Sequence, residues 1–261
     1  MKHPHIYQDL QSHTRWSDGK DLPINMIEAA YEKKLHTYGI TDHFKTDKIS
    51  KKRFLTIDRI RQYVLFTKNF QSQFPDMKIV VGLEIDTSGK GPGLFNMSID
   101  EYPLEKFSEL DYLLMEHVKD DQYNRVRKDI SDRRNQKYEG DLPLIGIDNF
   151  LGVIQKWRDR GLTMPIGLAH NSIFENLTIQ ELEKLARADI FIELCSDVLD
   201  LDTGQPFYMA EGYPPYLMHF INAGGKISIG SDAHEVAMVG EVSTAVELVT
   251  KLGIEDRVIQ F

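Results

Sequence analysis

KIVVGLEID, residues 78–86, is the stretch that decides how this chain folds. Its apolar core is rich in β-branched residues and too short for a stable helix, and acidic side chains (Glu84 and Asp86) appear only at its end. A run with apolar residues on both faces suits a strand covered on both sides, as in a parallel sheet flanked by helices. The same design recurs outward in both directions. IYQDLQSH (6–13) and TYGITDH (37–43) precede it; DYLLMEH (111–117), MPIGLAH (164–170), DIFIELCSD (189–197) and KISIGSDAH (226–234) follow it. Each is a short apolar run that stops abruptly in a polar, metal-competent cluster.

Segments of helical periodicity lie between these runs. The spacing predicts helices over 23–34, 54–72, 147–160, 178–187, 208–222 and 239–252. Pro23 suits a first helical position, with Ile24, Ile27 and Ala30 sharing one face. Thr178 reads as an N-cap and Glu181 completes a capping box. Alternating strand and helix implies a parallel α/β sheet, because right-handed crossovers return each strand in the same direction. The closing VIQF (258–261) fits either an eighth strand or a tail. The polar stretches 88–103 and 119–143 are too long for tight turns and are expected as binding loops or lids.

A chain of 261 residues without a Pro/Gly/Ser-rich linker is expected to form one domain, 1–261. Its 31 basic and 40 acidic residues leave a net charge of −9, which argues against a general nucleic-acid binder. Phosphorylated small molecules remain open, since bound cations would add positive charge. Cys195 is the single cysteine, so no intramolecular disulfide can form. No apolar run approaches the roughly 18 residues of a membrane span, and MKHPHIYQDL lacks the apolar centre of a signal peptide. No membrane partner and a cytoplasmic location are therefore expected.

The chemistry is concentrated at the strand ends, where parallel α/β folds bind ligands. Five of the nine histidines, His13, His43, His117, His170 and His234, close a strand run, in company with Asp18, Asp42, Glu84 and Asp232. One such histidine would ordinarily be a hydrogen-bonded structural residue; five in register converge on one rim. Imidazole and carboxylate without thiolate is a ligand set for Zn, Mn or Fe. Two or three such cations can polarise a phosphoryl oxygen and generate hydroxide at neutral pH. Other features carry less. GKGPG (89–93) lacks the Lys-Ser/Thr of a P-loop. His3 and His5 stand in the N-terminus, His36 and His219 lie in or beside helical stretches, and Cys195 has no neighbouring His or Lys to activate it. Glu193 and Asp197 are expected to shape the rim.

Taken in order, these motifs resemble the PHP (polymerase and histidinol phosphatase) family over essentially the whole chain. DLQSHTRWSDG (9–19) is similar to the family's opening D-L-H-x-H-T-x-x-S-D-G; ITDHF (40–44), GLEID (82–86), His117, GLAHN (167–171) and IGSDAHE (229–235) follow as its later motifs do. The resemblance implies a distorted (β/α)7 barrel of parallel strands surrounded by helices, which agrees with the seven runs above. It also implies a trinuclear centre. One metal would sit among Gln11, His13, Glu84 and Asp232; a second among Glu84, His117 and His170; a third among Asp18, His43 and His234. Position 11 departs from the pattern, placing a neutral amide where the family has His. Glu116 stands where relatives often carry Ser or Thr, adding negative charge near the rim unless it points away.

The function so implied is metal-dependent hydrolysis of a small phosphorylated molecule by metal-activated hydroxide at a di- or trinuclear site of Zn, Mn or Fe. Asp232 and His234 are candidates for proton transfer, and Arg15 for contacting the phosphate. Lys45, Arg53, Lys119 and the cluster Arg125, Arg127, Arg133 and Arg134 are weaker candidates for that contact. Histidinol phosphate is one possible substrate. A metal-binding regulatory module weakened by Gln11 is the alternative, and a nuclease role is disfavoured by the charge.

Overall fold

The structure is a computed structural model that describes residues 3–44, 55–86, 104–116, 146–169, 177–196, 205–209 and 212–261. Its strands are β1 (Gln8–Asp9), β2 (Thr37–Ile40), β3 (His43–Phe44), β4 (Lys78–Asp86), β5 (Tyr112–Glu116), β6 (Ile166–Leu168), β7 (Ile190–Cys195) and β8 (Ile227–Gly230). All pair in parallel in the order β1-β2-β4-β5-β6-β7-β8, while β3 extends the line of β2 and pairs with the upper half of β4. Beyond β1 and β8 the two edges meet: Leu10 N donates to Ile229 O at 2.8 Å and His13 N to Ala233 O at 2.7 Å. The result is a nearly closed barrel of seven parallel strands with helices around it. Closure removes the open edge that a sheet would otherwise expose.

The helices are α1 (Pro23–Glu32), α2 (Ile60–Lys68), α3 (Ile147–Asp159), α4 (Ile179–Arg187), α5 (Tyr213–Asn222) and α6 (Ser243–Leu252). At α4 the sequence signal is realised in full: Thr178 Oγ1 accepts from Glu181 N at 3.3 Å and the Glu181 carboxylate accepts from Thr178 N at 2.8 Å. The predicted 54–72 and 208–222 segments are shorter as α-helices because part of each is wound as a 3-10 turn, at Ile57–Arg59 and Gln71–Gln73 in the first and at Phe207–Met209 in the second. Stretches 88–103 and 119–143 lie outside the described residues.

Strand alternation sorts the core into two compartments. Ile79, Val81, Leu83 and Ile85 of β4, with Ile190, Ile192 and Leu194 of β7, join the large cluster under the helices. Val80, Leu114, Tyr112 and Phe191 take the opposite face and form a separate cluster with Leu10, Ala169 and Ile259, which fills the barrel. The Tyr112 ring fits because glycines face it; a Cβ at Gly39 or Gly82 would overlap it. Its hydroxyl donates to Leu10 O at 2.6 Å.

The C-terminal VIQF resolves as a tail. Val258 makes one isolated bridge to Ile227, Ile259 N donates to Ile227 O at 2.8 Å, and Phe261 lies 5.0 Å from the Tyr112 ring. It packs under the N-terminal end of the barrel. The opposite end, where the polar clusters emerge, stays clear of it.

Candidate metal centre

Two buried aspartates shape this mouth before any ligand is considered. After β1 the chain turns through Thr14–Gly19, and Asp42, at the end of β2, gathers that turn. Asp42 accepts from Thr14 N at 2.8 Å, Thr14 Oγ1 at 2.8 Å and Ser17 Oγ at 2.5 Å. Gly19 closes it, passing so near the His13 carbonyl that a Cβ there would overlap the backbone. Asp9 does the same for the last motif, accepting from Ser231 N at 2.9 Å, Ser231 Oγ at 2.6 Å and Gly240 N at 2.8 Å. Burial pushes the Asp9 carboxyl up to about 6, against the lowering effect of those hydrogen bonds. The sequence places Asp42 with the acids that accompany the strand-end histidines and Asp9 within the first motif; a short acid beside Ser and Thr is its only signal of these duties.

The ligand candidates then come into reach. His13 is fully buried, with Nε2 3.0 Å from Glu84 Oε2 and 2.9 Å from Asp232 Oδ1. Glu84 rises from the inward face of β4, two residues above Gly82, and pairs in register with His43. Asp232 adopts a left-handed backbone, φ 56°, a strained state that Asp tolerates better than most residues and that turns its carboxylate toward His13. Asp18 Oδ1 faces His234 Nε2 at 3.3 Å and His43 Nε2 at 3.6 Å. The His13 ring stacks against both His43 and His234, with centroids 4.4 and 4.3 Å away. His234 Nδ1 donates to the Asp232 carbonyl at 2.8 Å, so that in the neutral ring Nε2 carries the lone pair.

The electrostatics follow from this crowding. Burial disfavours a charged His13, but the Asp232 and Glu84 carboxylates outweigh it and hold the imidazole well above its usual range. At Asp18 burial likewise opposes the charge; His234 and the neighbouring imidazoles overcome it and hold the carboxyl well below the usual carboxylate range. His234 is raised, since Asp18 outweighs its burial. Neither ring nitrogen of His13 is in hydrogen-bond geometry among the described residues, close as the carboxylates are. Among the described residues, three sets of donor atoms each lie within 4.8 Å of one another: His13–Asp18–His43–His234, His13–Glu84–Asp232 and His43–Glu84–Glu116. Buried nitrogen and carboxylate donors aimed at common points fit divalent cations.

The amino-acid pattern matches the PHP domain over residues 9–195. The chain belongs to the PHP domain family. Among the solved structures that share its fold, two are similar over nearly the whole chain. One is a histidinol phosphate phosphatase from Lactococcus lactis subsp. lactis Il1403 complexed with zinc, L-histidinol and phosphate: 19% identity, 94% of this chain and 93% of that one covered, TM-score 0.59. The other, from Listeria monocytogenes and assigned as a histidinol phosphatase only by inference, gives 15% identity, 91% and 99% coverage and TM-score 0.60. A search of curated proteins found no match.

Other sequence candidates fall elsewhere. Gln11 is buried, its Cβ near Gly230. Arg15 is exposed and its Nε donates to Lys20 O at 2.7 Å, so that donor is committed to the loop. Glu193 is fully buried on the inward face of β7, packed against Gly230 at the end of β8. Inward alternation from Phe191 put it there. Cys195 is buried. His5 donates to Glu255 O at 2.8 Å, away from the centre. His117, His170, Lys45, Arg53, Lys119, Arg125, Arg127, Arg133, Arg134, Asp197 and GKGPG lie outside the described residues.

Proposed function

We propose that this PHP-domain chain is a metal-dependent phosphoesterase acting on a small phosphorylated molecule. The observation that carries the reading is the convergence of His13, Asp18, His43, Glu84, Asp232 and His234, from sequence positions spread over more than two hundred residues, at one mouth of the barrel. His13, Glu84 and Asp232 would hold one cation, with Asp18, His43 and His234 holding another. Bound divalent ions would supply Lewis-acid polarisation of a phosphoryl oxygen and water made acidic enough to ionise near neutral pH. The protein's own contribution is orientation. Asp42 fixes the turn that carries Asp18, and Asp9 fixes the turn that carries Asp232 and His234. His234 is the most exposed imidazole of the group; it or Asp232 would be able to pass a proton to a departing alkoxide only when not holding a cation. Net charge favours a compact phosphate over a nucleic acid. The zinc, L-histidinol and phosphate in the Lactococcus neighbour support a small phosphate monoester as the substrate class.

The test is hydrolysis of p-nitrophenyl phosphate by purified protein with added Mn or Zn, alongside its metal content. Metal-dependent turnover that falls at least 100-fold in His43→Ala and Asp232→Ala is expected. Bound metal without turnover on any phosphate would instead support a regulatory module, the reading favoured by the neutral Gln11 in place of a histidine.

A further inference from the structure

The ligand contributed by β5 has two candidates in adjacent positions, Glu116 and His117. On β5, Tyr112 and Leu114 belong to the cluster inside the barrel, whereas Leu113 and Met115 pack outward under the helices. Period-two alternation therefore aims Glu116 inward. It is 6% exposed, and its Oε1 lies 3.6 Å from His43 Nδ1, which is itself 3.5 Å from Glu84 Oε2. His13, fully buried and with neither ring nitrogen in hydrogen-bond geometry, aims Nε2 at that same Glu84 oxygen. Glu84 Oε2 thus faces two imidazoles, and His43 Nδ1 stands between the Glu84 and Glu116 carboxylates.

We infer that Glu116 is the β5 ligand of the metal centre and that it makes the Glu84 side of the centre oxygen-rich. The inference rests on the metal-dependent reading above and adds a ligand which the family resemblance does not assign. Gln11 points the same way, since it too offers an oxygen where the pattern has an imidazole nitrogen. Carboxylate and amide oxygens suit Mn over Zn, whereas imidazole favours the softer ion. The chain is thereby set for a harder cation at this position than a histidine-lined site would select.

The experiment is calorimetric titration of chelator-stripped protein with Mn and separately with Zn, for wild type, Glu116→Gln, Glu116→Asp and His117→Ala. Circular dichroism in chelator serves as the folding check. Loss of one Mn equivalent, or about a tenfold or greater weakening, in Glu116→Gln is expected, with a smaller effect on Zn. His117→Ala should bind Mn as wild type does. Glu116→Asp, which keeps the charge but shortens the reach, should also weaken Mn and provides the reading if the glutamine variant does not fold. Unchanged Mn binding in the Glu116 variants, or loss of the Mn equivalent in His117→Ala, would overturn the inference while leaving the phosphoesterase reading intact. A wild-type chain that takes up neither metal would overturn both.

Discussion

Asp9 and Asp42 show how much of a candidate metal site is built by residues that hold its loops. Each uses both carboxylate oxygens to collect backbone N–H and hydroxyl donors from a loop, and each loop carries candidate ligands. Asp9 also leaves a thermodynamic trace. Its carboxyl titrates near 3.8 in an unfolded chain and is pushed up to about 6 by burial. Between those values the native state binds more protons than the unfolded state, so this group's contribution to stability falls as pH rises from about 4 to about 6 and is flat above. Its size is of the order of 3 kcal/mol. Urea unfolding in chelator across that range should show Asp9→Asn lacking this component, its stability declining less than that of wild type as pH rises. Parallel profiles for the two proteins would contradict the assignment.

At the scale of elements, the mouth opens because β2 and β4 are held together by a helix where their line is interrupted. The Tyr63 hydroxyl on α2 sits 2.9 Å from Ile40 O and 3.1 Å from Gly82 O, and accepts from Asp42 N at 3.3 Å. It satisfies backbone groups that the break between β2 and β3 leaves without ladder partners. Removing the hydroxyl leaves buried carbonyls unmatched, at about 1–3 kcal/mol. Tyr63→Phe should lower the urea midpoint accordingly and weaken metal binding as well, since Asp42 and His43 follow directly. Lost stability with metal affinity unchanged would limit Tyr63 to a structural role.

At the scale of the whole molecule, the described residues gather an excess of acid at the mouth. Among them, Asp18, Glu84, Glu116 and Asp232 bring four carboxylates to three imidazoles, most of them withdrawn from solvent. Buried charge of one sign is tolerated only with a compensating ion or a proton. Ligands that bind the native state alone stabilise it by mass action, about 2.7 kcal/mol at a hundredfold excess over Kd. Chelation should therefore lower the thermal midpoint by roughly 5–10 °C for a chain of this size, and re-addition of Mn should restore it. A midpoint indifferent to both treatments would contradict a metal-filled mouth.

The legible part of this protein was whatever repeats locally. Seven apolar runs with polar ends specify parallel strands and the edge from which His13, His43, Glu84 and Asp232 project, because side-chain chemistry and period are properties of neighbouring residues. The Thr178 capping box is of the same kind, spanning only four residues. What tertiary structure alone decided depends on register and closure. The inward turn of Glu116, the burial of Glu193 against Gly230, the duties of Asp9 and Asp42 toward distant loops, and the folding of VIQF beneath the barrel all require partners distant in sequence, as far as the 251 residues between Gln8 and Ile259. A local pattern cannot encode which strand faces which; only the closed ring, by bringing its first and last strands together, fixes where those side chains point.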